Sequence, residues 1–453
     1  MYHDICTAPV SLTRPSSIDH WNKMIRAFLA HGIQAPVHLG ALLEAEPDYA
    51  MALAAKGLFS MMMGRRELVD VAHQAHADAV IALAQGGANE RERLWVEALG
   101  LWLNEKPSAA IQCMEQALRL TPADTLSMKV SHAIRFIMGD NHGMRRSLER
   151  VIGAHDADHP LRGFAMGCLS FAQEETGSYA EAEASGLEGL TLASDDAWGM
   201  HAVAHVYDMT HDPVRGIKLI EGHTAAWDHC NNFRFHVWWH KALLHMDRGE
   251  MDHVLALYDT KIRDEKTDDY RDFSNASSLL MRLELEGVNV GSRWAELADL
   301  AEKRSEDGCL VFADLHYMLA LSGDKRPDAA ARLVARVAQS GGQTGEMAGV
   351  MKHPGLLAAE GLAAFGEAKY DLAYKQLVAA QPGFQTMGGS HAQRDVFERV
   401  TIDAALRAGH LSEAEQLITA RTALRKGAVD SFAETRLESI RDLRAISEST
   451  AAQ

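Results

Sequence analysis

The stretch that decides the fold is Trp95-Val-Glu-Ala98-Leu99-Gly-Leu-Trp102, followed by Ala110, Met114, Ala117 and Pro122. Large apolar residues three and four apart mark one face of a helix. Glu105-Lys-Pro107 then breaks the run, and a second apolar face begins. Alanines at 110 and 117 let paired helices approach closely, while the tryptophans fill the space between them. The unit is a helix hairpin, closed by Pro122.

Similar punctuation recurs every 34 to 45 residues, the range of two-helix repeats. The unit at Trp95 follows the tetratricopeptide pattern W-x2-L-G-x2-Y…A-x3-F-x2-A…P with a loop one residue short. Degenerate copies follow. Gly177-Ser-Tyr179 leads to Ala182, Gly186 and Gly189; Gly366 leads to Tyr370, Ala373, Leu377, Ala380 and Pro382; Gly409-His-Leu411 leads to Ala414, Ile418 and Arg421. Gly64, Gly249, Gly287 and Gly323 sit at helix–helix turns. Strand signals are nearly absent. The expected fold is all-α: about ten tetratricopeptide-like hairpins in one right-handed superhelical solenoid over residues 19–453. Residues 1–18, with Pro9, Pro15 and Ser16-Ser17, read as a poorly ordered leader.

Composition narrows the partners. Formal charge is −17, from 45 Lys+Arg against 62 Asp+Glu, with no long basic run. Nucleic acid is excluded, because phosphate contacts need a clustered positive surface. No stretch approaches the ~20 apolar residues of a membrane span. Cys6, Cys113, Cys168, Cys230 and Cys309 are odd in number, far apart and without a CxxC pair, which fits buried free thiols in a reducing, cytoplasmic setting. Met61-Met62-Met63 reads as adaptable helix packing.

Histidines carry the strongest functional signal. Nine of the 23 fall between residues 201 and 253, and four of the eight tryptophans fall between 198 and 239. Neither type is a default core filler. His201/His205 and His236/His240 each have i, i+4 spacing, one side chain above the other on a helix. The offset between the pairs is 35 residues, one repeat. With Met200, Val203, Ala204 and Tyr207 buried in one first helix, and Phe235, Trp238, Trp239 and Ala242 in the next, the four histidines take positions 5 and 9. Those positions line the inner groove of tetratricopeptide arrays, so the four imidazoles are expected to face one concave cavity.

Three uses of that cavity follow. In a binding site, His201, His236, Trp239, Asp259, Arg282, His391, Arg394 and Asp395 are the expected contacts for a small molecule or peptide. In an enzyme, His205, His240, His316 and Asp314 are the acid–base candidates, since crowded imidazoles keep one another neutral near pH 7; Asp259, Asp314, His316 or Asp395 would orient the base. As a metal site, His201, His205, His236 and His240 have ligand spacing, but neither pair carries the Glu of HExxH. The sequence favours binding over catalysis, since no complete catalytic constellation is visible, and a metal-free site over a metal one. A homo-oligomer is compatible with it. Ser277, Ser278 and Ser390 are in no nucleophile-elbow context.

Ser390-x-x-Gln393 after Gly388-Gly389 reads as a capping box opening a helix, with His391, Arg394 and Asp395 in its first turns. Arg394 is the candidate for gripping an anion, its alternative a salt bridge to Asp395 or a neighbouring repeat. His391 or Arg394 is expected to look across the groove at the four histidines, with Asp314 and His316 on the wall.

A family resemblance adds to this. Trp198-Gly-Met-His201-Ala-Val-Ala-His205-Val, His236-Val-Trp238-Trp239-His240-Lys-Ala-Leu and Leu257-Tyr258-Asp259 are its first motifs. Ser277-Ser-Leu-Leu-Met-Arg282-Leu-Glu-Leu, Phe312-Ala-Asp314-Leu-His316-Tyr-Met-Leu-Ala-Leu and Gly388-Gly-Ser-His391-Ala-Gln393-Arg394-Asp395-Val complete the set. Together these resemble the tetratricopeptide repeat protein 38 family over most of the chain. Met281 stands where the resemblance implies a tryptophan. The family's activity is poorly defined, so the resemblance implies the fold and names no reaction.

Overall fold

The computed structural model describes residues 2–451. Successive antiparallel helix hairpins make up nearly all of it, and the strands among the described residues are two of two residues each. The chain is a tetratricopeptide-like helical repeat. It packs as two compact units rather than one. The first holds residues up to Val203 with Ile220–Val237 and Gln343–Gly349; the second holds Ala204–Leu219, Trp238–Gly342 and Val350 onward.

In the first unit the hairpin Glu90–Leu103 with Pro107–Leu120 is the quoted repeat. Trp95, Ala98, Ala110, Met114 and Ala117 are all buried in it. Four more hairpins share its plan: Pro15–Leu29 with Ala35–Ala45, Ala50–Met62 with Arg66–Ala84, Thr125–Ile137 with Asn141–Val151, and Arg162–Glu174 with Tyr179–Leu192. First helices of neighbouring hairpins also pack on one another, Ala50–Met62 on Glu90–Leu103 and Thr125–Ile137 on Arg162–Glu174. In the last hairpin the two backbones nearly touch. A Cβ on Gly189 would lie 2.9 Å from the Gly163 carbonyl oxygen, so no larger residue fits.

The leader is ordered, which corrects the reading from composition. Tyr2–His3 pairs antiparallel with Pro9–Val10, and Cys6, Ala8 and Val10 are fully buried. Pro15 begins the first helix, at the position where a missing N–H costs nothing. The anchor is a buried polar knot. Asp4 Oδ1 accepts the backbone N–H groups of Cys6 and Ala8. Its Oδ2 accepts Trp21 Nε1 at 3.1 Å and Arg91 Nη1 at 2.8 Å. Arg91 also grips Asp124 through two bonds of 2.7 Å, and Asp124 caps the helix Thr125–Ile137. Residues distant in sequence supply the order that local composition does not announce.

The second unit repeats the plan with Tyr270–Leu285 and Arg293–Arg304, Val311–Gly323 and Pro327–Gly341, Leu356–Gly366 and Tyr370–Ala380, and His391–Arg407 and Leu411–Leu424. Ser431–Ala451 packs on the last. Gly409, between helices of the final hairpin, has φ of 84°, a conformation that glycine takes without steric cost.

Arg91→Met should destabilise the protein by about 3–5 kcal/mol in chemical denaturation, because it strands two buried carboxylates. Arg93→Met, whose exposed side chain pairs with Glu90, should cost under about 0.5 kcal/mol.

Candidate functional site

The histidines sit on two unbroken helices, Ala197–Met209 and Phe233–Asp247. Met200, Val203, Ala204 and Tyr207 are buried in the first; Phe235, Trp239 and Ala242 are buried in the second. Trp238 differs from the expected register. It is only half-buried, covered by the ammonium groups of Lys241 and Lys261 at 5.2 and 5.3 Å from its ring centroid. Long lysine stems can shield an indole without a core position.

In the first unit, His201 Nε2 lies 3.0 Å from His236 Nε2, and the rings are 4.9 Å apart. A contact this short joins one Nε2–H donor to one neutral acceptor, so the two rings do not carry charge together. Phe171, Trp198 and Phe233 surround His201. In the second unit, His205 and His240 face each other with ring centroids 4.5 Å apart. All four histidines are buried, none presented to outer solvent.

Around the first pair lie residues that the sequence reading passed over. Lys129 is buried with its Nζ 4.3 Å from the Trp198 ring centroid and 3.8 Å from Cys168 Sγ. One turn on, neither ring nitrogen of buried His132 has a hydrogen-bond partner among the described residues. Burial holds its pKa well below 6.5, and the Lys129 and Arg135 charges add to the effect. Asp196 accepts from the backbone N–H groups of Trp198 and Gly199, yet burial raises it from 3.8 to about 7. Neither Lys129 nor His132 belongs to a spaced motif. The sequence signal was only the unusual placing of polar residues inside a helix, Lys129-Val-Ser-His132, that also packs on both sides.

The second unit gathers another set. Trp239, placed by the register among the buried positions, is fully buried. Its ring meets His240 at 4.8 Å and the Arg282 guanidinium at 5.4 Å. Arg282 donates to the Ala392 carbonyl at 2.6 Å, which brings His391 and Asp395 to the same region. Asp395 accepts Arg399 Nε and Arg421 Nε, each at 2.6 Å. Burial opposes its ionisation, but Arg421 and Arg399 outweigh that and hold it well below the usual carboxylate range. Arg394 donates to the carbonyls of Gly388 and Gly389 and to Gln385 Oε1, bracing the turn before its own helix. Ser390 and Gln393 form the expected capping box.

Three sequence candidates are occupied elsewhere. Asp259 forms a two-bond pair with Arg293, with nearly half its side chain exposed. Asp314 pairs with Arg336 rather than with a histidine, and burial still raises it to about 6. His316 places Nδ1 2.7 Å from the Phe312 carbonyl between the rings of Phe312 and Phe397. Burial lowers it to about 3, which favours the neutral ring at pH 7. Ser277 and Ser278 hydroxyls donate to carbonyls of their own helix.

No known family model matches the chain. Among solved structures it is similar to yeast Tom70, at 12% identity and a TM-score of 0.36, covering 96% of this chain and 88% of that one. Human IFIT1, in a dimer with PPP-AAAA, gives 12% and 0.37, with 87% and 94% covered. The complex of Naa15/Naa10 bound to HypK-THB gives 12% and 0.26; the chain spans 63% of that chain's length and 90% of its own is covered. At these identities and scores the likeness carries no argument beyond the helix hairpins described above. No described helix is long and apolar enough to cross a membrane.

Asp196 gives a pH test. Its folded pKa lies above its unfolded one, so the unfolded chain ionises first as pH rises from about 4 to 7. Stability is therefore lost over that window, by up to about 1.4 kcal/mol per pH unit. Asp196→Asn keeps an acceptor for the helix N–H groups. Denaturation of the two proteins from pH 4 to 8 should show the variant gaining on the wild type up to about pH 7 and level beyond.

Proposed function

We propose that the protein is a tetratricopeptide-like binding protein whose ligand, a small polar molecule or peptide, is recognised by His201/His236 and His205/His240. The observation that carries this is the pairing itself. Imidazoles four residues apart on one helix each meet a partner 35 residues later. Buried imidazole is costly to desolvate, and a packing role is met more simply by apolar residues. Neutral imidazole offers one donor and one acceptor per ring, the groups that fix the orientation of a polar ligand. The finer reading, membership of the tetratricopeptide repeat protein 38 family, rests on the motifs quoted from the sequence.

One observation favours metal as a second reading. Nitrogens bound to a common tetrahedral zinc at about 2.0–2.1 Å lie about 3.4 Å apart, close to the 3.0 Å between His201 and His236 Nε2. Within the first unit His201 and His236 would supply two of its ligands. Acid–base catalysis has less support, because Asp314 and His316 are engaged as described.

Elemental analysis of tag-free protein separates the two readings: a stoichiometric metal supports the second, and its absence the first. For the first, a small-molecule library screened by thermal shift should yield a stabilising ligand. The double variant His205→Gln/His240→Gln should abolish that shift while costing less than about 3 kcal/mol of stability. A larger loss with no ligand found would make the histidines packing residues and end the proposal.

A further inference from the structure

Four arginines and His391 line a cavity that lies wholly within the second unit, at the start of the helix His391–Arg407. The cavity itself measures about 30 Å³, room for a small anion or about two waters. The arginines differ in how their charge is met. Arg421 pairs with Asp395 and makes two bonds to Asp430. Arg399 pairs with Asp395 at 2.6 Å and reaches Asp430 at 3.4 Å. Both are neutralised inside the protein.

Arg282 and Arg425 are met less fully, Arg282 at 3.8 Å from Asp395 and Arg425 at 3.5 Å from Asp208. The Arg282 side chain is 1% exposed, yet its bonds go to backbone carbonyls, Ala392 at 2.6 Å and Ser278 at 3.3 Å. The nearest carboxylate oxygen, on Asp395, is 3.8 Å away and already holds Arg399. Burial lowers Arg282 to about 9, the mark of a guanidinium short of negative charge. Arg425 is 5% exposed; its Nη2 donates to the Asp208 carbonyl at 2.5 Å and lies 3.5 Å from the Asp208 carboxylate and 3.9 Å from that of Asp430. Its buried Nε has no hydrogen-bond partner among the described residues. A buried charged donor left unmet is unfavourable unless something else occupies the site.

Of the carboxylates on the cavity wall, Asp208 meets Arg425 through Nη2 and leaves its Nε unmet. Asp247 accepts His211 Nδ1 at 3.0 Å. Asp395 is taken by Arg399 and Arg421. Burial, with Asp395 beside it, raises the pKa of Glu398 and disfavours its charge.

We propose that this cavity binds the oxyanion head of a small molecule, a carboxylate or a phosphate, through Arg282 and Arg425 Nε. Guanidinium presents a planar fork of donors that suits either group. The site stands apart from the histidine reading: it uses different residues, and either proposal survives the failure of the other.

The test uses the full chain and two probes, inorganic phosphate and acetate, titrated separately at constant ionic strength with chloride as reference. Calorimetry and thermal shift should show saturable binding of at least one probe and none of chloride. Phosphate alone would mark a tetrahedral head group, acetate alone a planar one. Arg425→Lys retains charge but removes the Nε donor, and Arg282→Lys removes the fork; each should weaken binding at least tenfold with unchanged far-UV circular dichroism. The proposal is overturned if the wild type saturates with neither oxyanion, a result that needs no folded variant, or if both folded lysine variants bind as tightly as the wild type.

Discussion

Buried arginines clamped to aspartates hold the helices of each unit in register. In the first unit Arg91 joins Asp4 to Asp124, and so ties the β-hairpin, the first helix through Trp21 and the cap of Thr125–Ile137 into one knot. In the second, Arg399 and Arg421 share Asp395 and Asp430. Such pairs add little net stability over apolar packing, because desolvation offsets most of the attraction. Their effect is geometric. A bidentate guanidinium accepts few orientations of its partner, and leaving one partner alone in the interior is severely unfavourable. Helices whose apolar faces could slide against one another are thereby fixed to the residue.

That constraint has a consequence for chemistry. A buried arginine whose carboxylate is shared with two others, as Arg282 is, keeps unmet charge in the interior. Likewise, a histidine that packs against another histidine keeps a hydrogen-bonding edge that leucine in the same space would lack. Both arrangements cost folding free energy relative to an apolar core. Sites for polar ligands are built from groups of this kind, held in place by neighbours that are themselves fully satisfied.

Local pattern carried much of this structure. The hairpin at Trp95–Pro122, the turns at Gly64, Gly177, Gly249, Gly287 and Gly409, and the capping box at Ser390 each follow from residues close in sequence, and each stands in the structure. The pairing of His201 with His236 followed from a one-repeat offset. What failed did so for long-range reasons. Pro9 and Pro15 looked like a loose leader until Arg91, some 80 residues away, supplied the partner for Asp4. Asp314 found Arg336 rather than a histidine.

The sequence by itself determined the helices, their hairpin pairing and the histidine offset, because helical periodicity, turn glycines and repeat length act within about forty residues. Tertiary structure alone decided the division into two units and which charges are neutralised. It decided likewise that Lys129 and His132 lie beside Trp198, and that Arg282 and Arg425 face one cavity. The physical reason is that burial and charge pairing depend on every element that packs around a group. No run of neighbouring residues carries that information.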